Sequence, residues 1–261
     1  MDILIICIVA LLASGLTFFS GFGLGTLLLP AFALFMPLEH AIAMTAVVHL
    51  LNGLFKLALL RKHIDRGVLL RFGLPAVLAA LLGAWLLSAL GTLPALHAYT
   101  AFGHRFEILP LKLVIGVLLL LFAMIELVPK LRDLEFDTRW QPLGGALSGF
   151  FGGLAGMQGA LRSAFLARSG LDKQAFVATG AAIACVIDVS RLAVYAGTLL
   201  AVFGTLDGTF DHRLLACAVL AAFAGAWLGN RLLHKTTLRG LQRGVAAMLF
   251  AFAIGLIVGL L

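Results

Sequence analysis

"SGFGLGTLLLP", residues 20–30, places glycines at 21, 23 and 25 and a proline at 30 within a run, Ile3 to Leu38, that holds no Asp, Glu, Lys or Arg. A stretch so apolar belongs in lipid, where every backbone N–H and C=O must be paired inside the chain and helix breakers need a reason. As one continuous helix these thirty-six residues would extend about 54 Å at 1.5 Å per residue, too long for a single span of a hydrocarbon core about 30 Å thick. The glycines are therefore read as a hinge between two helical pieces, a hairpin or re-entrant pair.

The rest of the chain repeats this character. Of 261 residues, 62% are hydrophobic and 12% charged, with a mean hydropathy of +1.10. Charge-poor blocks recur along the whole length, and they do not alternate in the manner of transmembrane strands. The fold class expected is all-α, a polytopic membrane protein. Met1-Asp2 supplies no basic n-region, and the apolar run exceeds a signal peptide's core, so the first helix is expected to remain. Cys7, Cys185 and Cys217 lie in separate apolar blocks without CxxC or His spacing, which suggests neither a disulfide framework nor a metal site.

A net charge of +7 alone would suggest nucleic acid, but the basic residues are scattered over short connections with no soluble module to carry a binding face. No nucleic-acid partner is expected. Thirteen of the 19 Lys and Arg fall in alternate loops, around 61–71, 130–139, 168–173 and 231–243, whereas the opposite loops carry only Arg105, Lys112 and Arg213. The positive-inside rule places the first set in the cytoplasm, making this a multi-pass protein of the cell inner membrane. Lys56, Arg162 and Arg191 are left within apolar segments.

The chain is also written twice. "GAWL" occurs at 83–86 and 225–228, "SGFGLGTLLLP" aligns with "AGMQGALRSAF" (155–165), and "AIAMTA" (41–46) aligns with "AFVATG" (175–180), in the same order. This divides the chain into a first repeat, 1–128, a cytoplasmic linker, 129–139, and a second repeat, 140–261. The charge pattern gives the halves opposite orientation, the inverted repeat of many secondary transporters, whose substrate sits near the midplane between discontinuous helices. Five helical pieces are predicted per half: 3–20, 24–37, 40–60, 68–90 and 111–129, then 140–155, 159–169, 173–203, 212–233 and 241–261. At least one piece of the shorter second break, Trp140 to Ala167, should stop inside the membrane.

A helix that starts within the membrane exposes about four unpaired N–H groups and the positive end of its dipole, which favour an anion. Gly21, Gly23 and Gly25 with Gly156 and Gly159 could aim two such starts at one central anion; the alternative is close helix packing of the GxxxG kind. Arg162 follows the second break, and an intramembrane cation needs compensation. It either contacts substrate, pairs with Asp188 or snorkels to the surface. "CVIDVSRLAVY" (185–195) sets Asp188 and Arg191 at i, i+3: either a self-neutralising pair, or Asp188 orienting Arg191 toward an oxyanion. In "TAVVHLLNGLFK" (45–56), Thr45, His49, Asn52 and Lys56 form one narrow helical stripe, expected to face the protein interior or an aqueous path; His49 and Asn52 either serve there or hydrogen-bond between helices, and Lys56 is expected to snorkel.

Surplus intramembrane positive charge suits a small anion. The substrate-binding candidates are Arg191, Arg162, Gln158, Gly21, Gly23, Gly25, Gly156, Gly159, His49 and Asn52, with Arg191 as the main cationic anchor and Asp188 as the proton-coupling candidate. No HExxH or GxSxG pattern is present, which leaves an intramembrane enzyme as the weakest alternative; a passive anion channel is the other. No cofactor and no metal are implied, the partners are a small anion and the lipid bilayer, and oligomeric state is not readable.

The motifs "GFGLGTLLLP" and "GMQGALRSAF", each followed by "AIAMT" or "AFVAT", with "RKHID" before the fourth helix and the duplicated "GAWL", resemble the sulfite exporter TauE/SafE family, also called the toluene sulfonate uptake permease family, over nearly the whole chain. The resemblance implies a carrier of sulfur-containing anions such as sulfite or organosulfonates. It also places Gly21, Gly23, Pro30, Gly156 and Gly159 on the family's motif positions. Departures from the pattern GxGGGxxxxP are Leu24, Gln158, Ala160 and Phe165.

Overall fold

The apolar blocks form helices. The computed structural model describes residues 2–16, 18, 24–101, 103–132, 134–196, 212–232 and 239–261. In chain order the helices are α1 (Asp2–Leu16), α2 (Leu24–Ala33), α3 (Leu38–Leu60), α4 (Arg66–Gly91), α5 (Pro110–Leu127), the short α6 (Pro129–Arg132), α7 (Gln141–Ala155), α8 (Gly159–Leu166), α9 (Lys173–Val194), α10 (His212–Leu232) and α11 (Arg239–Ile257). Four stretches, Leu38–His63, Arg66–Gly91, Lys173–Val194 and His212–Arg231, are long and apolar enough to cross a membrane. The chain is an all-α polytopic membrane protein.

Local chemistry sets the boundaries. Asp65 caps α4 by accepting from the Val68 N–H at 2.8 Å, and Asp172 caps α9 by accepting from Ala175 at 2.7 Å, each satisfying one orphan donor of a first turn. Pro110 and Pro142 stand at helix starts, where no N–H is needed. Gly156 ends α7 in the left-handed conformation, φ +75°, which a residue with a Cβ rarely adopts. The predicted piece 173–203 is helical to Val194; residues 197–211 lie outside the described residues.

α7 and α8 enter the bundle and return. The Gln141 amide at the start of α7 donates to Ser169, just past α8, at 2.8 Å, and the Phe136 N–H reaches the Ala164 carbonyl at 3.1 Å. Their 15 and 8 residues rise about 22 and 12 Å, so neither crosses a membrane alone. α1 and α2, 15 and 10 residues long, are equally short.

The helices of the two halves interlock reciprocally. α4 lies along α7, α1 along α10, α3 along α9 and α5 along α11, each pair joining a helix before residue 128 to one after residue 140. The duplicated "GAWL" sits at the first two contacts. A Cβ at Gly83 would strike the Phe150 carbonyl of α7, and one at Gly225 the Leu11 carbonyl of α1. Small residues let helix backbones approach in this way.

A second glycine stripe completes the α4–α7 contact. Gly145, Gly149 and Gly153, spaced by four, lie against the carbonyls of Phe72, Ala76 and Ala80. Gly149→Val must push the two backbones apart, and overpacking of this kind costs about 1–3 kcal/mol. The expected result is a lower Tm in detergent than wild type, with Leu143→Ala, on the exposed side of the same helix, as a near-neutral control. An unchanged Tm for Gly149→Val would refute the contact.

One element departs from the sequence reading. Two strands, β1 (His97–Ala101) and β2 (His104–Ile108), pair antiparallel, with Gly103 at φ +79° before β2. Between the predicted pieces 68–90 and 111–129 the chain thus holds two short strands. Their alternation of exposed and half-buried residues is the strand signal, obscured in sequence by the apolar blocks around them. Tyr99 pairs with Phe106 and donates to the Val258 carbonyl at 2.5 Å, tying the strand pair to the end of α11.

Candidate functional site

The two glycine breaks meet. A Cβ on Gly25, in the first turn of α2, would lie 2.9 Å from the Gly156 carbonyl and 3.7 Å from the His49 ring. Gly25, Gly156 and Gly159 are all buried, while Gly21 and Gly23 lie outside the described residues. Around this junction α3, α8 and α9 contribute polar side chains, and α9 presents Gly180, Ala181 and Ala184 to the space between them. Gly180 makes room for a specific neighbour, since its Cβ would come 3.4 Å from Arg162 Nε.

At the centre is Asp188, fully enclosed. Its Oδ1 accepts from Arg191 Nε at 3.0 Å and from Gln158 Nε2 at 3.2 Å, and its Oδ2 lies 2.6 Å from His49 Nδ1. Arg191 Nη2 adds an ion contact of 2.8 Å to Oδ1. Gln158 turns its amide oxygen the other way and accepts from Arg162 Nη1 at 3.2 Å. One hydrogen-bonded relay therefore runs from α3 through α9 to α8. Ser148 holds it from behind by donating to the Gln158 carbonyl at 2.9 Å, and the Tyr195 hydroxyl donates to the Gly153 carbonyl.

Beside the relay lies a cavity of about 40 Å³, room for about three waters at about 10–15 Å³ each. His49, Asn52 and Lys56 line it from α3, Arg162 from α8, and Phe18 and Leu24 close it on the side of the first break. Lys56 and Arg162 bring two positive charges to this space, and no carboxylate is among its described lining residues. Toward the 3-10 turn after α3, the Asp65 N–H donates to Thr179 on α9 at 2.9 Å.

Several sequence expectations need restating. Arg191, expected as the anchor, is 0% exposed, ion-paired to Asp188 and absent from the cavity lining; its Nη1 lies 2.6 Å from where a Cβ of Gly156 would be. The arginine that does line the cavity is Arg162, 4% exposed, so it does not snorkel. Lys56 is half-buried and also lines the cavity, its Nζ 5.3 Å over the Phe18 ring, a cation–π contact. Asn52 Oδ1 accepts from the Ser14 hydroxyl at 3.1 Å, which fixes its position while it faces the cavity. Thr45, on the same stripe, is buried with no hydrogen-bond partner among the described residues.

Sequence reasoning missed Ser14, Ser148, Phe18 and Gly180. Only the serines carried a signal, as lone hydroxyls in apolar helices, where a polar group usually finds an interhelical partner. Among the described residues no group of three or more His, Cys, Asp or Glu side chains is placed to hold a metal ion.

A family model described as "Sulfite exporter TauE/SafE" matches residues 6–256. No curated protein and no solved structure matches the chain. With nearly its whole length covered, the chain belongs to the TauE/SafE sulfite exporter family, and it is a multi-pass membrane transporter of sulfur-containing anions such as sulfite.

Proposed function

We propose that this member of the TauE/SafE family is a secondary carrier of a small sulfur oxyanion, held between Lys56 and Arg162 in the cavity where the two glycine breaks meet. The observation that carries the reading is the charge of that cavity: two cations line it, while the buried acid beside it, Asp188, is already paired with Arg191. A site with surplus positive charge and few waters of room binds an oxyanion by charge-assisted hydrogen bonds from a guanidinium and an ammonium. Its size favours an inorganic anion of sulfite's dimensions over an aromatic sulfonate. Gly25, Gly156 and Gly159 then serve to bring two helix starts close to the anion, His49 and Asn52 face it from α3, and Gln158 stands behind Arg162.

The reciprocal pairing of helices supports two inverted repeats, 1–128 and 140–261, joined by the linker 129–139. On the positive-inside assignment the cavity lies toward the cytoplasm, since α3 ends and α9 begins at basic loops, and the membrane is the cell inner membrane. Rocking of one repeat against the other would carry the site from one face to the other.

A carrier and a channel differ in one measurement. In proteoliposomes loaded with unlabelled sulfite, a carrier accelerates entry of labelled sulfite, because the loaded site returns faster than the empty one. That trans-stimulation is the expected result. Sulfite flux without it, accompanied by steady anion current, would replace the carrier with a channel, and no movement or binding of sulfite or any sulfonate would remove the substrate reading.

A further inference from the structure

We propose that His49 takes up one proton as the anion enters the cavity and releases it as the anion leaves, so that a proton moves with each anion. This rests on the transport reading above and assigns the coupling within that site to His49, not to Asp188.

The assignment follows from what surrounds the two groups. Asp188 is 0% exposed and its Oδ1 is occupied by Arg191 Nε and Gln158 Nε2. Arg191 is equally enclosed, and Asp188 is the acid it pairs with. A proton on Asp188 would strand a guanidinium charge in the protein interior, where an unpaired ion is expensive. Asp188 therefore remains a fixed anion and Arg191 its fixed counter-ion, and the two cancel.

His49 is differently placed. Its Nδ1 meets Asp188 Oδ2 at 2.6 Å, its side chain keeps 13% of its surface exposed, and it lines the cavity beside the anion's cations. A carboxylate can only accept, so in the neutral ring Nδ1 carries the hydrogen and Nε2, across the ring, holds the lone pair. The arriving proton joins Nε2 to give an imidazolium with N–H bonds on both sides, and its loss restores the same neutral tautomer; no other bond changes. Imidazole is the side chain suited to such a change near neutral pH.

The charges that face His49 decide when it happens. From α9 come Asp188 and Arg191, which offset each other; from α8 comes Arg162; from α3 itself comes Lys56, about two turns further along. The described residues of α2 beside it, Leu24 and Gly25, carry no charge, nor does Ser14 of α1, which sits on Asn52. With the cavity vacant, an imidazolium would be a third positive charge next to two others. An anion of one or two charges offsets that repulsion, so anion and proton each raise the other's affinity, and by reciprocity the two enhancements are equal.

The test uses the purified full chain in proteoliposomes with sulfite as the probe. Taking up one proton with the anion makes the half-saturating sulfite concentration rise up to about tenfold per pH unit, beyond the change that sulfite's own ionisation imposes. His49→Gln, which lowers transport as well because the residue lines the site, is expected to lose that additional slope and keep only sulfite's own. If the wild type shows no additional slope, or if His49→Gln retains it, the proposal is wrong. Should His49→Gln fail to fold, calorimetric binding of sulfite to the wild type in two buffers of different ionisation enthalpy still decides. About one proton taken up per anion, after correction for sulfite, supports the assignment, and none overturns it. A wild type that shows no sulfite counterflow at all refutes the carrier reading instead, and the proposal falls with it.

Discussion

Asp188→Asn will destabilise the folded protein by about 3–5 kcal/mol, the cost of leaving a buried charge without its partner. The substitution keeps the shape of the side chain but removes the negative charge that faces Arg191, itself 0% exposed. It also changes what His49 Nδ1 meets across 2.6 Å, so one position disturbs three elements. Arg191→Met alone should be nearly as damaging, since it strands the carboxylate. The double substitution Asp188→Leu with Arg191→Met removes both charges together, and replacing a buried pair by apolar residues of similar volume is often neutral or stabilising. The measurement is thermal or denaturant unfolding in detergent across this double-mutant cycle. A strong positive coupling, in which the double variant is more stable than either single one, is the expected outcome. If Asp188→Asn unfolds like wild type, the pair does not hold the bundle together. The double variant should still be poor at transport, because the relay from His49 to Gln158 and Arg162 runs through the Asp188 carboxylate.

How far sequence could reach is set by what each residue's neighbours decide. The broken helices were legible because glycines in an uncharged run leave few alternatives once span length is counted, and α2, α7 and α8 begin or end where Gly25, Gly156 and Gly159 require. The stripe His49, Asn52, Lys56 was legible because helical periodicity puts those residues on one face, whatever that face meets. The direction of a long cationic side chain was not. Arg191 shares a face with Asp188, and nothing in "CVIDVSRLAVY" says whether its guanidinium turns back onto its own helix or forward into a cavity. Lys56 lies near a basic loop, so snorkelling was the expected course; Phe18, which its ammonium covers, stands on the far side of a break 38 positions away. The strand pair was hidden for a different reason. Five-residue strands alternate too briefly to stand out between helices of 26 and 18 residues.

If the anion sits in the cavity as proposed, Arg162 is the position whose substitution should weaken substrate recognition most. Arg162→Gln keeps polarity and much of the length but removes the charge, and hydrogen bonds to a charged group are worth about 1.5–3 kcal/mol, which is about 10- to 150-fold in affinity. The half-saturating concentration of sulfite should rise by that factor with the protein still folded, because Arg162 holds the outer end of the relay, at Gln158 Oε1, not the enclosed ion pair. Arg162→Lys should recover part of the loss, since the charge returns without the planar fork. Lys56→Gln should cost less, its ammonium resting partly on the Phe18 ring and keeping some exposure. This expected ordering separates the two arginines: Arg162→Gln should lower affinity at unchanged Tm, whereas Arg191→Met should lower Tm first. Were Arg162→Gln to transport sulfite with wild-type affinity while Arg191→Met, in the stable double variant, lost it by a hundredfold, the anion would sit at the Gly156 junction instead, against the guanidinium that the carboxylate now holds.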